Sequence, residues 1–329
     1  MRAVVIEELN GPGAARIRDV PEPEGAHPRA GGRRVLVDVH AVGLSFIDPL
    51  QTRGAYQSGV AAPYIAGSEL SGVVLEAPGD ALVQPGDRVA GIVWQGAMAD
   101  RALALDDYLV KLPDHIGFAE GAGIYMNYST GWYALESAQL RAGDTVLVQG
   151  AAGGVGTAIL DLAPAFGVKT IAIVSSAEKA ALADACGADH VLRSDEDWLT
   201  GVKAITQGRG VEAFIDMVGG DRFLDTVRSL AIGGRGIIVG FAGGSIPEIK
   251  VNRLLLRNLT LTGIAMDVME REHPGTLLRV RQGVQSLLDA GKLHPAVEQR
   301  YALEQASEAL ASLENRTALG KVVVDVKPT

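Results

Sequence analysis

An apolar pentapeptide runs directly into a glycine-rich turn in the stretch Thr145-Val-Leu-Val-Gln-Gly-Ala-Ala-Gly-Gly-Val-Gly156. The apolar run predicts a buried strand, and the glycines predict a tight turn that opens a helix. Glycines let the backbone approach a pyrophosphate, and the first turn of a helix offers N–H groups and a partial positive charge. In the G-x-G-x-x-G pattern, Ala151 takes the first place, and Gly153 and Gly156 take the later two. We therefore predict a dinucleotide cradle, whose contact residues are Gly150, Ala151, Ala152, Gly153, Gly154, Val155 and Gly156.

The strand of this motif is the first of six that alternate with helical segments. The predicted strands are Thr145–Gln149, Thr170–Val174, His190–Leu192, Glu212–Asp216, Gly236–Val239 and Leu259–Thr262. Near-continuous apolar strands joined by crossover helices form a parallel sheet that is buried on both faces. Residues 124–263 are therefore predicted to form a doubly wound, dinucleotide-binding α/β domain.

The residues on either side of this domain have a different pattern of predicted secondary structure. Residues 1–123 are predicted to form short strands broken by Pro-Gly and Gly-Asp turns, a pattern typical of a small β-barrel. Residues 264–329 contain two amphipathic helical stretches and a final β-rich segment, Lys321–Val326. That segment needs a strand partner, and the simplest partner is the sheet of residues 1–123. Residues 1–123 and 264–329 are therefore predicted to form one discontinuous domain, and 329 residues suffice for two domains.

Composition excludes several classes of protein. The chain has 30 Lys and Arg against 39 Asp and Glu, a net charge of −9, so we expect no nucleic-acid partner. Cys186 is the only cysteine, which excludes an internal disulfide and a multi-cysteine zinc site. The N-terminus does not have the pattern of a signal peptide, and no apolar run is long enough to span a membrane. We therefore expect a cytoplasmic protein with no membrane partner.

The end of the second predicted strand distinguishes NAD from NADP. Ser175 and Ser176 stand where an NAD site needs a carboxylate for the ribose 2′-OH. Lys179 lies one helical turn further on, and Arg193 follows the third strand. A carboxylate would repel a 2′-phosphate, whereas hydroxyls and cations bind it. These four residues favour NADP(H), although both cations could also be ordinary solvated surface charges.

Ordered motifs along nearly the whole chain share the pattern of one family. They are Ala41-Val-Gly-Leu-Ser-Phe-Ile-Asp48, Pro63-Tyr-Ile-Ala-Gly-Ser-Glu-Leu-Ser-Gly-Val73, Gln84-Pro-Gly-Asp-Arg-Val89, Thr130-Gly-Trp-Tyr-Ala-Leu135, Gln149-Gly-Ala-Ala-Gly-Gly-Val-Gly156, Asp216-Met-Val-Gly-Gly220, Leu254-Leu-Leu-Arg-Asn258 and Leu319-Gly-Lys-Val-Val323. With these motifs the chain resembles the zinc-independent quinone oxidoreductase branch of the medium-chain dehydrogenase/reductase superfamily. The resemblance implies a GroES-like β-barrel domain interrupted by a Rossmann domain. It also implies a homodimer that pairs two copies of the last Rossmann strand, Leu259–Gly263.

The resemblance bears on metal binding as well. Zinc alcohol dehydrogenases have a cysteine where Ser45 stands and a histidine where Ser68 stands, just before Glu69. Zinc needs three or four convergent ligands, and the six histidines show no helical pair spacing. We therefore predict no metal, and Glu69 is either a structural carboxylate or a site residue. Without a Lewis acid, the site suits hydride addition to an acceptor that is already activated.

Particular site residues follow from the same resemblance. On the cofactor side it implies contacts by Thr130, residues 150–156, Ser175, Lys179, Arg193, Phe241 after Gly240, and Arg316. Phe241 could equally be a core aromatic, and Arg316 a surface arginine. On the acceptor side the family often has asparagine at the place of Ser45 and tyrosine at that of Leu50, while Tyr56 matches a family tyrosine. We predict that Ser45 and Tyr56 hydrogen-bond the acceptor carbonyl or the cofactor ribose, and we interpret Asp48 mainly as a helix cap.

The leading prediction is an NADPH-dependent oxidoreductase whose partner is a small-molecule electron acceptor, either a quinone or an α,β-unsaturated carbonyl compound. An enoyl-thioester reductase is an alternative, but the sequence shows no cationic cluster for the phosphates of a long acyl thioester. An NADPH-binding structural or regulatory protein with little turnover is the alternative from a different class. NADPH oxidation with a panel of acceptors separates these three hypotheses.

Overall fold

The computed structural model describes residues 1–25, 32–56 and 59–327. Its strands in chain order are β1 (Arg2–Ile6), β2 (Ala15–Asp19), β3 (Arg34–Leu44), β4 (Tyr64–Ile65), β5 (Glu69–Glu76), β6 (Arg88–Ile92), β7 (Arg101–Leu105), β8 (Leu109–Lys111), β9 (Thr145–Gln149), β10 (Lys169–Val174), β11 (His190–Arg193), β12 (Val211–Asp216), β13 (Leu230–Ile238), β14 (Thr260–Gly263), β15 (Gln299–Ala302) and β16 (Val322–Asp325). Its α-helices are α1 (Ile47–Thr52), α2 (Phe118–Gly121), α3 (Tyr125–Ser137), α4 (Gly154–Phe166), α5 (Ala177–Ala185), α6 (Trp198–Ile205), α7 (Phe223–Arg228), α8 (Asn252–Leu255), α9 (Met266–Glu272), α10 (Thr276–Asp289) and α11 (Ala306–Glu314). None of these described helices has the length and apolar character needed to cross a membrane.

Tertiary contacts divide the chain into two compact units. The barrel unit comprises Met1–Asn127 and Arg281–Thr329, and the sheet unit comprises Tyr128–Val280. The predicted boundaries fall after residues 123 and 263, whereas the observed ones fall after residues 127 and 280, so the second differs more. The reason is that α9 and the start of α10 stay with the sheet unit, where Arg279 forms an ion pair with Glu136 on α3.

The sheet unit is built on six strands in the order β11-β10-β9-β12-β13-β14, and every neighbouring pair is parallel. The first strand lies in the middle and the sheet grows outward on both sides, which is the doubly wound dinucleotide-binding topology. The predicted α/β fold class is thereby confirmed. Strand order reverses between β9 and β12, and ligands of such sheets bind beyond the carboxyl ends of the strands at this point.

Apolar packing explains the central strands of this sheet. Val146, Leu147 and Val148 on β9 are fully buried, as expected for a parallel strand covered on both faces. Phe214 on β12 packs edge-on against Phe223 on α7, with 6.0 Å between ring centroids. One strand differs from the prediction: β13 begins at Leu230 rather than Gly236, because Leu230 already pairs with β12 before a register shift in the ladder.

The barrel unit contains a large, mainly antiparallel sheet and a small one. The large sheet has the order β15-β16-β3-β5-β6-β8, with β7 also paired to β3, and the small sheet has the order β2-β1-β4. On β3, Val35, Val37 and Val39 point into one apolar core that both sheets share. Antiparallel pairing of β16 with β3 sets Val322 opposite Leu44. This pairing brings the segment before β16 to the end of β3, where the polar residues described below converge.

Candidate functional site

The glycine-rich turn of the sheet unit lies between β9 and α4. Gly150 has a φ of +73°, a left-handed conformation that a side chain disfavours. Gly153 is the N-cap of α4, and the three residues 153–155 are half-buried, so their backbone is accessible. The first N–H groups of a helix have no acceptor within that helix. The turn therefore presents backbone donors at the carboxyl end of β9, as a pyrophosphate site requires.

Gly156 keeps this helix close to the strand. A Cβ at Gly156 would lie 2.4 Å from the carbonyl oxygen of Gly150 and 2.6 Å from Cα of Ala151. Both atoms belong to the backbone of the turn, so neither can move without opening it. Glycine is thus required at residue 156 by contact rather than by backbone torsion, and the contacts of residues 150–156 with a dinucleotide remain predictions.

Ser175 and Lys179 lie together at the end of β10. Lys179 Nζ donates to Ser175 Oγ at 3.4 Å, and burial lowers the pKa of the lysine. Ser176 is the N-cap of α5, and its Oγ accepts the backbone N–H of Lys179 at 3.3 Å. The structure therefore gives Ser176 a helix-capping role that the sequence analysis did not assign. Ser175 and Lys179 form the hydroxyl–cation pair expected for a 2′-phosphate, and the contacts of all three with the cofactor remain predictions.

Arg193 lies at the same edge of the sheet, opposite Val174 in the ladder. Its guanidinium pairs with Asp195 (Nε to Oδ1, 3.0 Å) and lies 3.8 Å from Glu196. These carboxylates compete with a phosphate for Arg193, so its predicted cofactor contact requires the pair to open. Arg222, which the sequence analysis missed, also reaches this edge, because its Nη1 donates to Ser194 Oγ at 2.7 Å.

The nicotinamide end of the predicted site follows β12 and β13. Asp216 Oδ1 accepts the N–H groups of Val218 and Gly219 at 2.7 and 3.0 Å, which fixes the turn after β12. The Phe241 ring, just after Gly240, packs so closely on this turn that a Cβ at Gly219 would lie 2.9 Å from Cδ1. Phe241 is nevertheless 38% exposed, so it is a surface ring at the carboxyl edge rather than a core aromatic.

Two further predicted cofactor residues lie on different units. Thr130 is half-buried on α3 in the sheet unit. Arg316 is exposed in the barrel unit just after α11, with a left-handed φ of +60°. The contacts of both residues with the cofactor remain predictions.

The barrel unit carries a group of hydrogen-bonded polar side chains that we call the polar cluster: Ser45, Asp48, Ser68, Glu69 and Lys321. Lys321 Nζ donates to Glu69 Oε2 at 2.6 Å and to Ser45 Oγ at 3.0 Å. Asp48 accepts the Ser45 backbone N–H at 2.7 Å and the Ser68 hydroxyl at 3.0 Å. The Lys321 and Glu69 side chains are 3% and 0% exposed. Asp48 thus connects Ser45 to Ser68, and the buried Lys321–Glu69 ion pair contacts Ser45 through the lysine.

Three neighbouring strands bring the cluster together. Ser45 follows β3, Glu69 begins β5, and Lys321 directly precedes β16. Gly43 lies between them, and a Cβ there would be 1.8 Å from the carbonyl oxygen of Ala122 and 2.5 Å from Lys321 Cε. Glycine at residue 43 therefore leaves room for the lysine chain.

Burial sets the protonation behaviour of both carboxyl groups. It raises the pKa of Asp48 to about 6, despite the hydrogen bonds from Ser45 and Ser68. It also raises the pKa of Glu69, and the Lys321 ammonium opposes that rise. The prediction that Asp48 caps a helix is wrong, because α1 has no side-chain cap and the Asp48 carboxylate instead connects Ser45 to Ser68. Among the residues that the structure describes, no group of three or more His, Cys, Asp or Glu could hold a metal ion.

The raised pKa of Asp48 makes stability depend on pH. The folded state binds this proton more tightly than the unfolded state, so the stabilisation is present below about pH 4 and is lost as pH rises through about 6. We expect the parent protein to lose about 3 kcal/mol of unfolding free energy from this group across that window. Urea unfolding at several pH values should show that Asp48→Asn removes this dependence, whereas the exposed Asp107→Asn retains it. Identical pH profiles for the parent and Asp48→Asn would contradict the assignment.

The predicted acceptor-side residues also lie in the barrel unit. Ser45 and Leu50 are half-buried, the latter on α1. Tyr56 is half-buried, and its carbonyl accepts the N–H of Gly59 at 3.0 Å. Lys321, which no sequence argument singled out, joins this group through Ser45. The only feature of the sequence that drew attention to Lys321 was its position inside the family motif Leu319–Val323.

A glycine cradle at the strand-order reversal of a doubly wound sheet is typical of proteins that bind a nicotinamide dinucleotide. Residues 31–130 match the family model described as alcohol dehydrogenase GroES-like domain, and residues 154–279 match the one described as zinc-binding dehydrogenase. Quinone oxidoreductase-like protein 2 of Rattus norvegicus is 35% identical over 99% of this chain and 92% of its own length. The chain therefore belongs to the quinone oxidoreductase branch of the medium-chain dehydrogenase/reductase superfamily, and is an oxidoreductase of that family.

Solved structures agree with this placement. A probable oxidoreductase from Mycobacterium abscessus is 36% identical, with a TM-score of 0.87 over 99% of this chain and 98% of that one. The quinone oxidoreductase of Thermus thermophilus, also solved as a complex with NADPH, is 33% identical, with a TM-score of 0.83 over 99% and 100%. The GroES-like and Rossmann parts predicted from the sequence are thereby confirmed.

Proposed function

We propose that this chain transfers a hydride from NADPH to a quinone or to an α,β-unsaturated carbonyl compound, without a metal. The observation that carries the proposal is the polar cluster. Serines 45 and 68 are not zinc ligands of the usual kind, and the nearby cation is the ammonium of Lys321. Without a Lewis acid the acceptor must already be activated, and quinones and conjugated carbonyl compounds meet that requirement.

Each part of the chain has a role in this proposal. The 150–156 cradle binds the pyrophosphate, and Ser175 and Lys179 bind the 2′-phosphate that distinguishes NADPH from NADH. Bound NADPH supplies the hydride. Ser45 and Tyr56 donate hydrogen bonds to the acceptor oxygen, where negative charge develops. The NADPH complex of the Thermus thermophilus quinone oxidoreductase supports the choice of cofactor.

A panel of acceptors tests the proposed function. NADPH oxidation, followed by absorbance, would be measured with quinones, enones and enoyl thioesters, before and after dialysis against a chelator. We expect turnover with quinones or enones that the chelator does not change. Turnover with enoyl thioesters alone, or activity that needs added zinc, would contradict the proposal, and binding without oxidation of any acceptor would favour a structural or regulatory protein.

Lys179→Ala is expected to weaken NADPH binding far more than NADH binding. A charge-assisted hydrogen bond to phosphate contributes about 1.5–3 kcal/mol, or roughly 10- to 150-fold in affinity. Fluorescence titration with both cofactors measures the effect, and the exposed Lys203→Ala serves as the matched control. Equal affinity of the parent for NADPH and NADH would show that Lys179 does not bind the 2′-phosphate. An equal loss of affinity for both cofactors in Lys179→Ala would show the same.

We also propose a homodimer that forms through β14. This strand has one strand neighbour, β13, within the described ranges, so its outer edge offers hydrogen-bonding groups. Val251, Leu255 and Leu256, just before β14 in the chain, are 76–77% exposed, which favours an apolar contact with a second copy.

Light scattering at micromolar concentration checks the dimer. The parent and the control Leu82→Asp, a comparably apolar surface site in the barrel unit, are expected to be dimers. Leu255→Asp should shift the protein toward monomers, because it introduces charge into the proposed apolar contact. A monomeric parent protein would refute this part of the account.

A further inference from the structure

Lys321 is an unusual place for a charge. Its side chain is 3% exposed, whereas lysine is almost never fully buried unless it is paired. Glu69 supplies that pairing at 2.6 Å, and Met126 N–H holds the other oxygen of the same carboxylate at 2.8 Å. The carboxylate is thus fixed by both oxygens, and it in turn fixes the ammonium. Ion pairing alone, however, does not account for the second bond of Lys321, to Ser45.

The direction of that second bond follows from chemistry. An ammonium has only donors, so Ser45 Oγ must accept the bond from Lys321 Nζ at 3.0 Å. The single hydroxyl proton of Ser45 must therefore point elsewhere. Within the described residues the structure shows no hydrogen bond donated by this hydroxyl, and Ser45 is half-buried rather than enclosed. The hydroxyl can therefore donate to a ligand.

The ammonium also changes how strongly that hydroxyl donates. A donor that itself accepts a charge-assisted hydrogen bond is polarised, and in a buried environment the two bonds strengthen each other. Glu69 balances the charge of Lys321, so the cluster offers a directed donor rather than a free positive charge. Such a donor binds a developing oxyanion better than a neutral carbonyl, which is the discrimination that lowers a reaction barrier.

We propose that Lys321 is a positioning residue of the acceptor site, holding Ser45 so that its hydroxyl proton is directed at the acceptor oxygen. This inference rests on the proposed function, because it uses the oxygen of a quinone or enone as the ligand of Ser45. It assigns to an internal lysine the task of strengthening a hydroxyl donor at the position where relatives with zinc have a metal ligand. No covalent step and no net transfer of the lysine proton is required.

The test uses 4-nitrophenolate, an oxyanion whose visible absorbance reports binding without any turnover. It would be titrated into the NADP⁺-saturated protein, where the parent is expected to bind it and to lower its apparent pKa. Ser45→Ala should weaken binding about tenfold or more, as expected for loss of one strong donor. Lys321→Met combined with Glu69→Gln, which removes both charges of the buried ion pair, should weaken it to a similar extent. Lys327→Met, which alters a lysine outside the cluster, should bind as the parent does.

Coupling between the residues separates positioning from a merely structural role. If Lys321 acts through Ser45, adding the Lys321/Glu69 changes to Ser45→Ala should cause little further loss. Fully additive losses, parent-like binding in the folded Lys321/Glu69 variant, or no binding by the parent would each overturn the inference. Parent turnover of a quinone with any of these results leaves the proposed function standing. If the phenolate binds in a Lys321-dependent way but no acceptor is turned over, the proposed hydride transfer is wrong and the positioning of Ser45 by Lys321 still stands.

Discussion

Lys321→Met is expected to lower the free energy of unfolding by about 3–5 kcal/mol, the usual cost of removing one partner of a buried ion pair. The lysine and Glu69 are both almost fully buried, with 2.6 Å between Nζ and Oε2. Removing the ammonium leaves a buried carboxyl group that can lose its proton only at a large desolvation cost. The Ser45 hydroxyl also loses its donor, so the loss is not limited to one contact.

Chemical denaturation of Lys321→Met and of two comparison variants measures this loss of stability. Lys321→Met with Glu69→Gln should recover much of the stability, since both charges of the buried ion pair are then removed. Lys327→Met removes a lysine that pairs with Asp38 but remains 32% exposed, so it should cost less than about 1 kcal/mol. A loss below about 1 kcal/mol in the single Lys321→Met variant would mean that the pair does not stabilise the barrel unit as described.

Gly156→Ala is expected to weaken NADPH binding by about 100-fold or more. Helix propensity alone favours alanine over glycine by about 0.5–1 kcal/mol, so local preference argues for the substitution. The contact argues against it more strongly, because the new Cβ would lie 2.4 Å from the Gly150 carbonyl oxygen. The helix must then move away from the turn, and losing two charge-assisted bonds to the pyrophosphate costs about 3 kcal/mol or more.

A matched alanine substitution controls for this effect. A Cβ at Gly79, which is exposed and does not have a left-handed φ, would meet nothing within 4 Å, so Gly79→Ala should bind NADPH as the parent does. Calorimetric titration of both variants with NADPH separates the effect of the close contact at residue 156 from the effect of adding a methyl group to the protein. Parent-like NADPH affinity in Gly156→Ala would show that the close approach of α4 to the turn is not needed.

Local patterns predicted the strand, turn and helix of residues 145–156 and the parallel sheet well. The strand, the turn and the start of α4 are contiguous in sequence, so their chemistry could be read from residues 145–156. The parallel direction of the strands followed from their alternation with helices, since parallel neighbours require crossovers. Hydrophobic periodicity was less informative at β13, because its start at Leu230 depends on pairing with Val211 on the neighbouring strand.

The polar cluster could not be predicted in the same way. Lys321 lies 252 residues after Glu69 and 276 residues after Ser45, so only the pairing of β3 with both β16 and β5 brings them together. The resemblance indicated that Ser45 and Ser68 stand where zinc enzymes have metal ligands, but the sequence did not show that the Lys321 ammonium bonds to Ser45. The sequence does not distinguish a buried lysine from a surface lysine, so only the folded structure shows that Lys321 is buried.

The charges near the proposed 2′-phosphate site show a similar limit. Counting cations singled out Lys179 and Arg193, and the structure does bring Lys179 to Ser175. Arg193, however, pairs with the carboxylate of Asp195, two residues along the chain. Arg222 reaches the same edge from a different loop. Which cations remain available to a phosphate depends on these pairings, and those depend on side-chain geometry.

Single-turnover mixing tests the central claim most directly. The chelator-treated protein, saturated with one equivalent of NADPH, would be mixed with excess quinone or enone while the nicotinamide absorbance is followed. The account predicts a single exponential loss of one NADPH per subunit with at least one of these acceptors, far faster than without protein and unchanged by added zinc. Decay no faster than the protein-free reaction with every quinone and enone, or decay only after zinc is added, would contradict it.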